Sequence, residues 1–358
     1  MADNKENKVL NVPALRFPEF TEEWNYESLD TIAPNITSGR SKPSLGEYNL
    51  YGSTGIIGKT ATADYSGDML LVARVGANAG SLQLVNDSCG ITDNTLIIKP
   101  CKLSSHYLYF YLQHYNLNRL VFGSGQPLIT AGMLKKVRIP FGNQLEQKKI
   151  ENFLCCIDER ITTQNKIIED LKKLKSAIYQ EMFGSLVAQT LKLGQVAEVV
   201  KGKQVNGTEL LEQGDYYVMN GGTLPSGWLN KYNTEANTIS ISEGGNSCGY
   251  VQYNTSPYWS GGHCYSLKIL HPQETSDLYL YHFLKWQEEN IMALRIGSGL
   301  PNIQKKDLLH FPVILPTITQ QNKIVLILSA IEEKVSCEIS ITQYFVKQKE
   351  YLLSQLFI

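Results

Sequence analysis

No stretch of this 358-residue chain runs apolar for the ~20 residues that a membrane span needs. The polar opening from Met1 to Leu10 also lacks the apolar core of a secretion signal. A cytoplasmic protein without a membrane partner is therefore expected. None of the seven cysteines (Cys89, Cys101, Cys155, Cys156, Cys248, Cys264 and Cys337) forms a C-x-x-C pair, so reduced structural thiols are expected rather than zinc or redox chemistry. A charge excess is missing as well. The 33 basic and 34 acidic residues leave a net −1, which weighs against simple polyanion binding, because neutralised phosphates supply most non-specific affinity for DNA.

What the chain has is a repeat. Gly123-Ser124-Gly125-Gln126-Pro127 returns as Gly297-Ser298-Gly299-Leu300-Pro301 at an offset of 174. The same offset pairs Ile129 with Ile303, Gln147 with Gln321, Ile157 with Ile331 and Phe183 with Phe357. Upstream it shrinks, to 172 for Tyr107-Leu108-Tyr109 against Tyr279-Leu280-Tyr281, 169 for Gly76 against Gly245 and 163 for Gly39 against Gly202. One inserted residue rotates the rest of a helix by about 100°, whereas loops on a β scaffold absorb insertions and carry recognition. The constant offset therefore marks helix, and the drifting one marks a variable β-rich domain.

The helical parts show a coiled-coil seam. Ile150, Ile157, Gln164, Leu171 and Ile178 recur at sevens, with Leu154, Ile161, Ile168, Leu174 and Met182 between them. The second copy runs Ile324, Ile331, Glu338, Phe345 and Leu352. Gln164 and Glu338 place a polar group at the same step. Either the seam slips toward solvent there, or the two residues meet partners that fix the register. A helix from Glu146 to Phe183 is ~55 Å long. Two such helices, paired antiparallel, predict an α+β dumbbell with pseudo-twofold symmetry. The domain parts hold short β-prone runs such as Asp68–Ala73, Thr95–Ile98 and Asn237–Ser242 between Gly, Asn and Ser clusters. Each is followed by a tyrosine-rich segment, Tyr107–Tyr115 or Leu278–Trp286, read as a helix whose aromatics enter the core.

In this order and at this register, several segments resemble the specificity subunit of type I restriction-modification enzymes over nearly the whole chain. They are Val12-Pro13-Ala14-Leu15-Arg16-Phe17-Pro18 before Trp24, the two Gly-Ser-Gly segments, and the helix entries Glu146-Gln147-Lys148-Lys149-Ile150 and Gln320-Gln321-Asn322-Lys323-Ile324. The endings Glu181-Met182-Phe183 and Gln355-Leu356-Phe357 fit too. The resemblance implies an extended segment over 1–27, a target recognition domain over 28–143, a helical spacer over 144–184, a second recognition domain over 185–319 and a second spacer over 320–358. Each domain would read one half of an asymmetric double-stranded DNA target. The helices would dock two modification (methyltransferase) subunits, with restriction subunits joining for cleavage. Methyl transfer and cleavage, and with them S-adenosylmethionine, ATP and magnesium, would belong to those partners, leaving this chain without a cofactor, a metal or a catalytic residue. The chain is compact for the family, which leaves the lengths of its reading loops open.

The candidate chemistry fits that picture. Val121-Phe122-Gly123-Ser124-Gly125 has the wrong spacing for a methyltransferase cofactor loop, and the glycine runs at Val75–Gly80 and Gly244–Gly249 lack the G-K-[ST] of a P-loop. Glu146-Gln147-Lys148 and Glu332-Glu333-Lys334 spell a nuclease-like E-x-K but fall on the helices, where charge runs usually face solvent. The Gly-Ser-Gly loops, with Ser124, Gln126, Ser298 and Asn302, either approach a phosphate or merely turn into a strand. Arg74 and Glu243 stand before the glycine runs that contain Asn78 and Asn246. They offer a guanine-reading arginine and a cytosine-accepting carboxylate, or else surface ion pairs. Gly39, Arg40 and Lys42 match Lys201, Gly202, Lys203 and Gln204, while Thr92-Asp93-Asn94 is set against Gly262-His263-Cys264, with Asp93, Asn94 and His263 as groups for base edges or phosphate. A stand-alone scaffold or transcription-type binder on the same repeat is the alternative, and a methyltransferase or nuclease in its own right is a third.

Overall fold

A computed structural model describes residues 11–122, 127–297 and 299–358. The chain divides into two compact units, Met1–Lys166 with Ser340–Ile358, and Ile167–Ile339. Both are α+β, and each contains part of both long helices, Gln144–Gly184 and Ile318–Leu356.

The first unit is built on a six-stranded sheet in the order Thr37–Ser38, Thr95–Ile98, Tyr65–Ala73, Leu82–Ile91, Tyr48–Gly52, Gly55–Thr60. All pairs are antiparallel except Tyr48–Gly52 with Leu82–Ile91. The central strand is buried from Met69 to Ala73, and its alternation explains why. Leu70 and Val72 enter the main core, while Met69 and Leu71 enter a smaller cluster on the other face with Val85 and Ile91. Helix Ser105–Tyr115 starts at Ser104, whose hydroxyl caps the Tyr107 N–H, and stops at Asn116 in the left-handed region. Its Tyr107 and Tyr111 are core residues whose hydroxyls donate to the carbonyls of Pro140 and Arg138.

The second unit splits the same plan into two sheets. One runs Ala197–Lys201, Cys264–Ile269, Thr238–Ser242, Val251–Asn254; the other runs Trp228–Leu229, Tyr216–Met219, Trp259–Ser260. The parallel pair recurs as Tyr216–Met219 with Trp259–Ser260. Helix Asp277–Trp286 is capped by Ser276, and Tyr279 donates to Ile314 O as Tyr107 does to Pro140 O.

In each unit the two helices run antiparallel. In the first, Ile150, Leu154 and Ile157 share a core with Leu352, Leu353, Leu356 and Phe357, Asp158 pairs with Lys349 at 2.6 Å, and Arg160 lies over the Phe345 ring. In the second, Tyr179 and Phe183 share a core with Ile324 and Leu328, and Lys175 pairs with Glu332 at 2.6 Å. Hence each long helix begins against its own domain and ends in the other domain's core. Phe357 meets Tyr107 and Tyr111 edge-on, and Phe183 meets Tyr279 and Phe283 in the same way.

The seam departs from the sequence reading at Leu174, which is 51% exposed. After Leu171 the inward step falls on Lys175, because Glu332 of the facing helix supplies an acid there. Ile150, Ile157, Ile324 and Leu352 are buried, and Leu171, Ile178, Ile331 and Phe345 are half-buried. Glu338 is 7% exposed and ion-paired with Lys334 one turn earlier, so it does not face solvent, and Gln164 is half-buried.

Candidate nucleic-acid interface

In each unit four segments converge on one end of the sheet, joined by main-chain hydrogen bonds. In the first unit Arg74 N donates to Asn94 O, Ile129 N to Arg74 O, Gly76 N to Pro127 O and Gly39 N to Thr95 O. In the second, Glu243 N donates to His263 O, Ile303 N to Glu243 O, Gly245 N to Pro301 O and Gly202 N to Cys264 O. The glycine run turns alike in both, with φ of +78° at Gly76 and Gly245, and closes alike through Gly80 N to Ala73 O and Gly249 N to Ser242 O. Gly39 and Gly202 are required by contact: a Cβ would lie 2.3 Å from Ile91 O in one and 2.1 Å from Gly261 O in the other.

These bonds correct one pairing. Asn94, not Asp93, is the counterpart of His263, since each carbonyl receives the N–H of the residue before the glycine run. Thr92-Asp93-Asn94 and Gly261-Gly262-His263 share no side chain, so only the main-chain bonds define their register.

Arg40, Lys42, Asn78, Asp93, Asn94, Lys201, Lys203, Gln204, Asn246, His263 and Asn302 are all exposed. All but Lys42 lie on or next to the bonded segments; Lys42 follows Ser41, whose N–H donates to Ile91 O. Ser124, Gln126 and Ser298 lie outside the described residues. Glu243 is the least open of the candidates. Its Oε1 takes Lys201 at 2.7 Å and the Tyr265 hydroxyl at 3.0 Å, and its Oε2 is buried without a partner. Burial and then the Glu243 carboxylate push the Tyr265 hydroxyl pKa up, so that it stays a donor. Arg74 also keeps a buried Nε without a partner. Thus the first unit offers a guanidinium with an unpartnered nitrogen where the second offers a carboxylate already held by Lys201 and Tyr265.

The hairpins beside these turns escaped the sequence reading. Tyr51 O accepts Thr92 N, and Met219 O accepts Gly261 N. Asn220 Oδ1 also accepts the His263 N–H at 3.2 Å. The available signal was Gly52-Ser53-Thr54-Gly55, a turn sequence between two β-prone runs.

The nuclease-like carboxylates are taken up structurally. Glu146 is buried and receives two hydrogen bonds from Arg16, at 2.6 and 2.8 Å, and Glu332 holds Lys175. Among the described residues no group of three His, Cys, Asp or Glu is placed to hold a metal, no helix is long and apolar enough to cross a membrane, and the seven cysteines are free.

A family profile described as "Type I restriction modification DNA specificity domain" matches the chain twice, over residues 9–173 and 188–343. A Mycoplasma pneumoniae protein named for a type I specificity subunit is 37% identical over 144 residues, 40% of this chain and 38% of that one. One from Mycoplasma genitalium is 28% identical over 252 residues, 65% of this chain and 66% of that one. The alignments thus span less than two thirds of either relative. In fold, the crystal structure of a type I restriction-modification S subunit from M. genitalium superimposes with a TM-score of 0.72 at 21% identity, covering 97% of this chain and 99% of that one. A chain from a structure concerned with assembly and conformational transition of the type I system gives 0.55 at 16% identity, covering 93% and 97%.

Proposed function

The chain belongs to the type I restriction-modification DNA specificity family, and from that premise we propose that it is the DNA-reading subunit of such a complex. One observation carries the proposal. The same loop cluster is built twice by the same main-chain bonds but presents different side chains, Arg74 and Asn94 in one copy, Glu243 and His263 in the other. A conserved frame with exchanged tips suits two readers of two different half-sites. The long helices set the spacing between half-sites and dock two methyltransferase subunits, with the restriction subunits binding through them. S-adenosylmethionine, ATP and magnesium chemistry belongs to those partners, and the complex works in the cytoplasm.

The test is to map adenine methylation in the host genome by single-molecule sequencing, with and without this gene. The expected motif is bipartite and asymmetric and disappears with the gene; a palindromic motif would sink the two-reader assignment. Co-purification should return two methyltransferase chains per copy, whereas a stand-alone binder would return none.

A further inference from the structure

We propose that the hairpin tip beside each reading turn is an apolar wedge that enters stacked duplex DNA: Ile56 and Ile57 in the first unit, Leu224 in the second. The inference rests on the DNA-reading assignment above and adds to it a mode of contact.

In the first unit, strands Tyr48–Gly52 and Gly55–Thr60 are joined through Ser53 and Thr54. Their ladder shifts between Leu50 and Tyr51, which pair with Gly58 and Ile56, so Ile57 is the extra residue of a bulge. Bulges re-aim side chains. Here Ile56 is 56% exposed and Ile57 54%, although neighbours on a regular strand would alternate in burial. Gly55 is required by its φ of +118°, but Gly58 is not: it has no positive φ, and a Cβ there would meet nothing within 4 Å. Glycine inside a strand often marks the close approach of another molecule.

The second unit reaches the same outcome by a different route. Strands Tyr216–Met219 and Trp228–Leu229 enclose residues 220–227, and Leu224, before the exposed Pro225, is 76% exposed. Single exposed apolar residues are ordinary on a protein surface. What singles these out is their recurrence at one place in the frame, on the hairpin whose Tyr51 or Met219 carbonyl holds the reading turn. That continuity with the candidate interface identifies the occupant as the DNA.

Isoleucine and leucine wedges unstack base steps and bend the duplex, gaining contact without adding charge. Such a mechanism suits recognition segments that are nearly neutral, +1 over residues 1–143 and −2 over 185–319.

The experiment uses the complex with its methyltransferase subunits and a duplex carrying the mapped target, with 2-aminopurine placed at successive steps of each half-site. One step in each half should brighten on binding. Ile56→Ser with Ile57→Ser should abolish the signal in one half only, and Leu224→Ser in the other. Leu224→Ser should weaken affinity about ten-fold, the worth of one buried aliphatic side chain, and the isoleucine pair roughly a hundred-fold, with the salt dependence unchanged because no phosphate contact is lost. Val187→Ser, which removes an even more exposed apolar residue outside both hairpins, should change neither reading. Absence of brightening in the parent complex, or brightening that survives the substitutions, overturns the wedge. Affinity lost with brightening intact also overturns it, in favour of a surface contact such as a thymine methyl. A complex that does not prefer its mapped target to scrambled DNA sinks the DNA-reading assignment itself.

Discussion

Gly202 and Gly245 are both invariant between the two copies of this chain, but for different physical reasons, which substitution should separate. A Cβ on Gly202 would lie 2.1 Å from Gly261 O, so Gly202→Ala must displace backbone and should cost about 1–3 kcal/mol, the usual range for overpacking. A Cβ on Gly245 meets nothing, and only its φ of +78° opposes a side chain; Gly245→Ala should cost roughly 1–2 kcal/mol. Denaturant midpoints at constant m measure both. A larger cost at Gly245 than at Gly202 would contradict the packing argument.

A second residue-level contrast lies at the end of the first long helix. The Tyr179 hydroxyl is hydrogen-bonded to His282 Nδ1 at 2.7 Å and lies 3.3 Å from its acceptor Glu332 Oε1, and His282 Nε2 is 3.3 Å from Ser329 Oγ, all within the second unit. At the matching positions the first unit has Leu353 and Phe110, both buried. Burial lowers the His282 pKa to about 4, outweighing the Glu332 carboxylate that would raise it. The folded pKa is thus below the ordinary value near 6.5, so the unfolded chain takes up a proton first. The contribution is fully present above pH ~6.5 and is lost as pH falls toward 4. His282→Phe alone leaves the Tyr179 hydroxyl only the longer bond to Glu332 at 3.3 Å and should cost about 0.5–1.5 kcal/mol at pH 7. Tyr179→Leu with His282→Phe, which copies the other unit, should recover most of that and flatten stability between pH 6.5 and 4. A double-mutant cycle of unfolding free energies at pH 7 and 5 reads both effects. Additive costs would refute the coupling.

For the elements, the exchange of helix ends is the main consequence of the fold. Phe357 is the terminal aromatic of the second repeat but sits on Tyr107 and Tyr111 of the first unit. Phe357→Ala should therefore cost about 3–5 kcal/mol and speed hydrogen exchange in helix Ser105–Tyr115 rather than in Asp277–Trp286. Phe183→Ala should do the reverse, and protection lost within each residue's own repeat would refute the exchange. The sequence showed that both helices exist, since a constant 174-residue offset and a seven-residue apolar rhythm survive only in helix. It did not show which core their ends enter. Periodicity reports which face is apolar, not what covers it. Leu174 was misread for a related reason: an apolar residue at plausible spacing looks like seam until a facing acid, Glu332, turns its neighbour Lys175 inward. In the candidate interface the glycines and their flanking cations were visible in the sequence, and the hairpins were not. Their position depends on main-chain bonds between residues some forty positions apart, such as Tyr51 with Thr92, which no side-chain pattern encodes.

On the scale of the whole molecule, charge decides how the protein can hold DNA. The total is −1, and one cation of the candidate surface, Lys201, is already paired with Glu243. Counterion release scales with the number of phosphates neutralised, so a chain whose acidic residues balance its basic ones has little electrostatic affinity of its own. The isolated protein should therefore bind duplex DNA only in the range of non-specific association, about 10⁻⁴–10⁻⁶ M at physiological salt. Assembly with methyltransferase subunits that complete the channel should bring binding to its mapped target to roughly 10⁻⁸ M or tighter and steepen the salt dependence beyond that of the chain alone. Titrations of chain and complex against target and scrambled duplexes at several salt concentrations measure both quantities. Nanomolar, target-selective binding by the isolated chain would mean that its own segregated cations suffice, and the division of labour proposed here between reader and partners would fail.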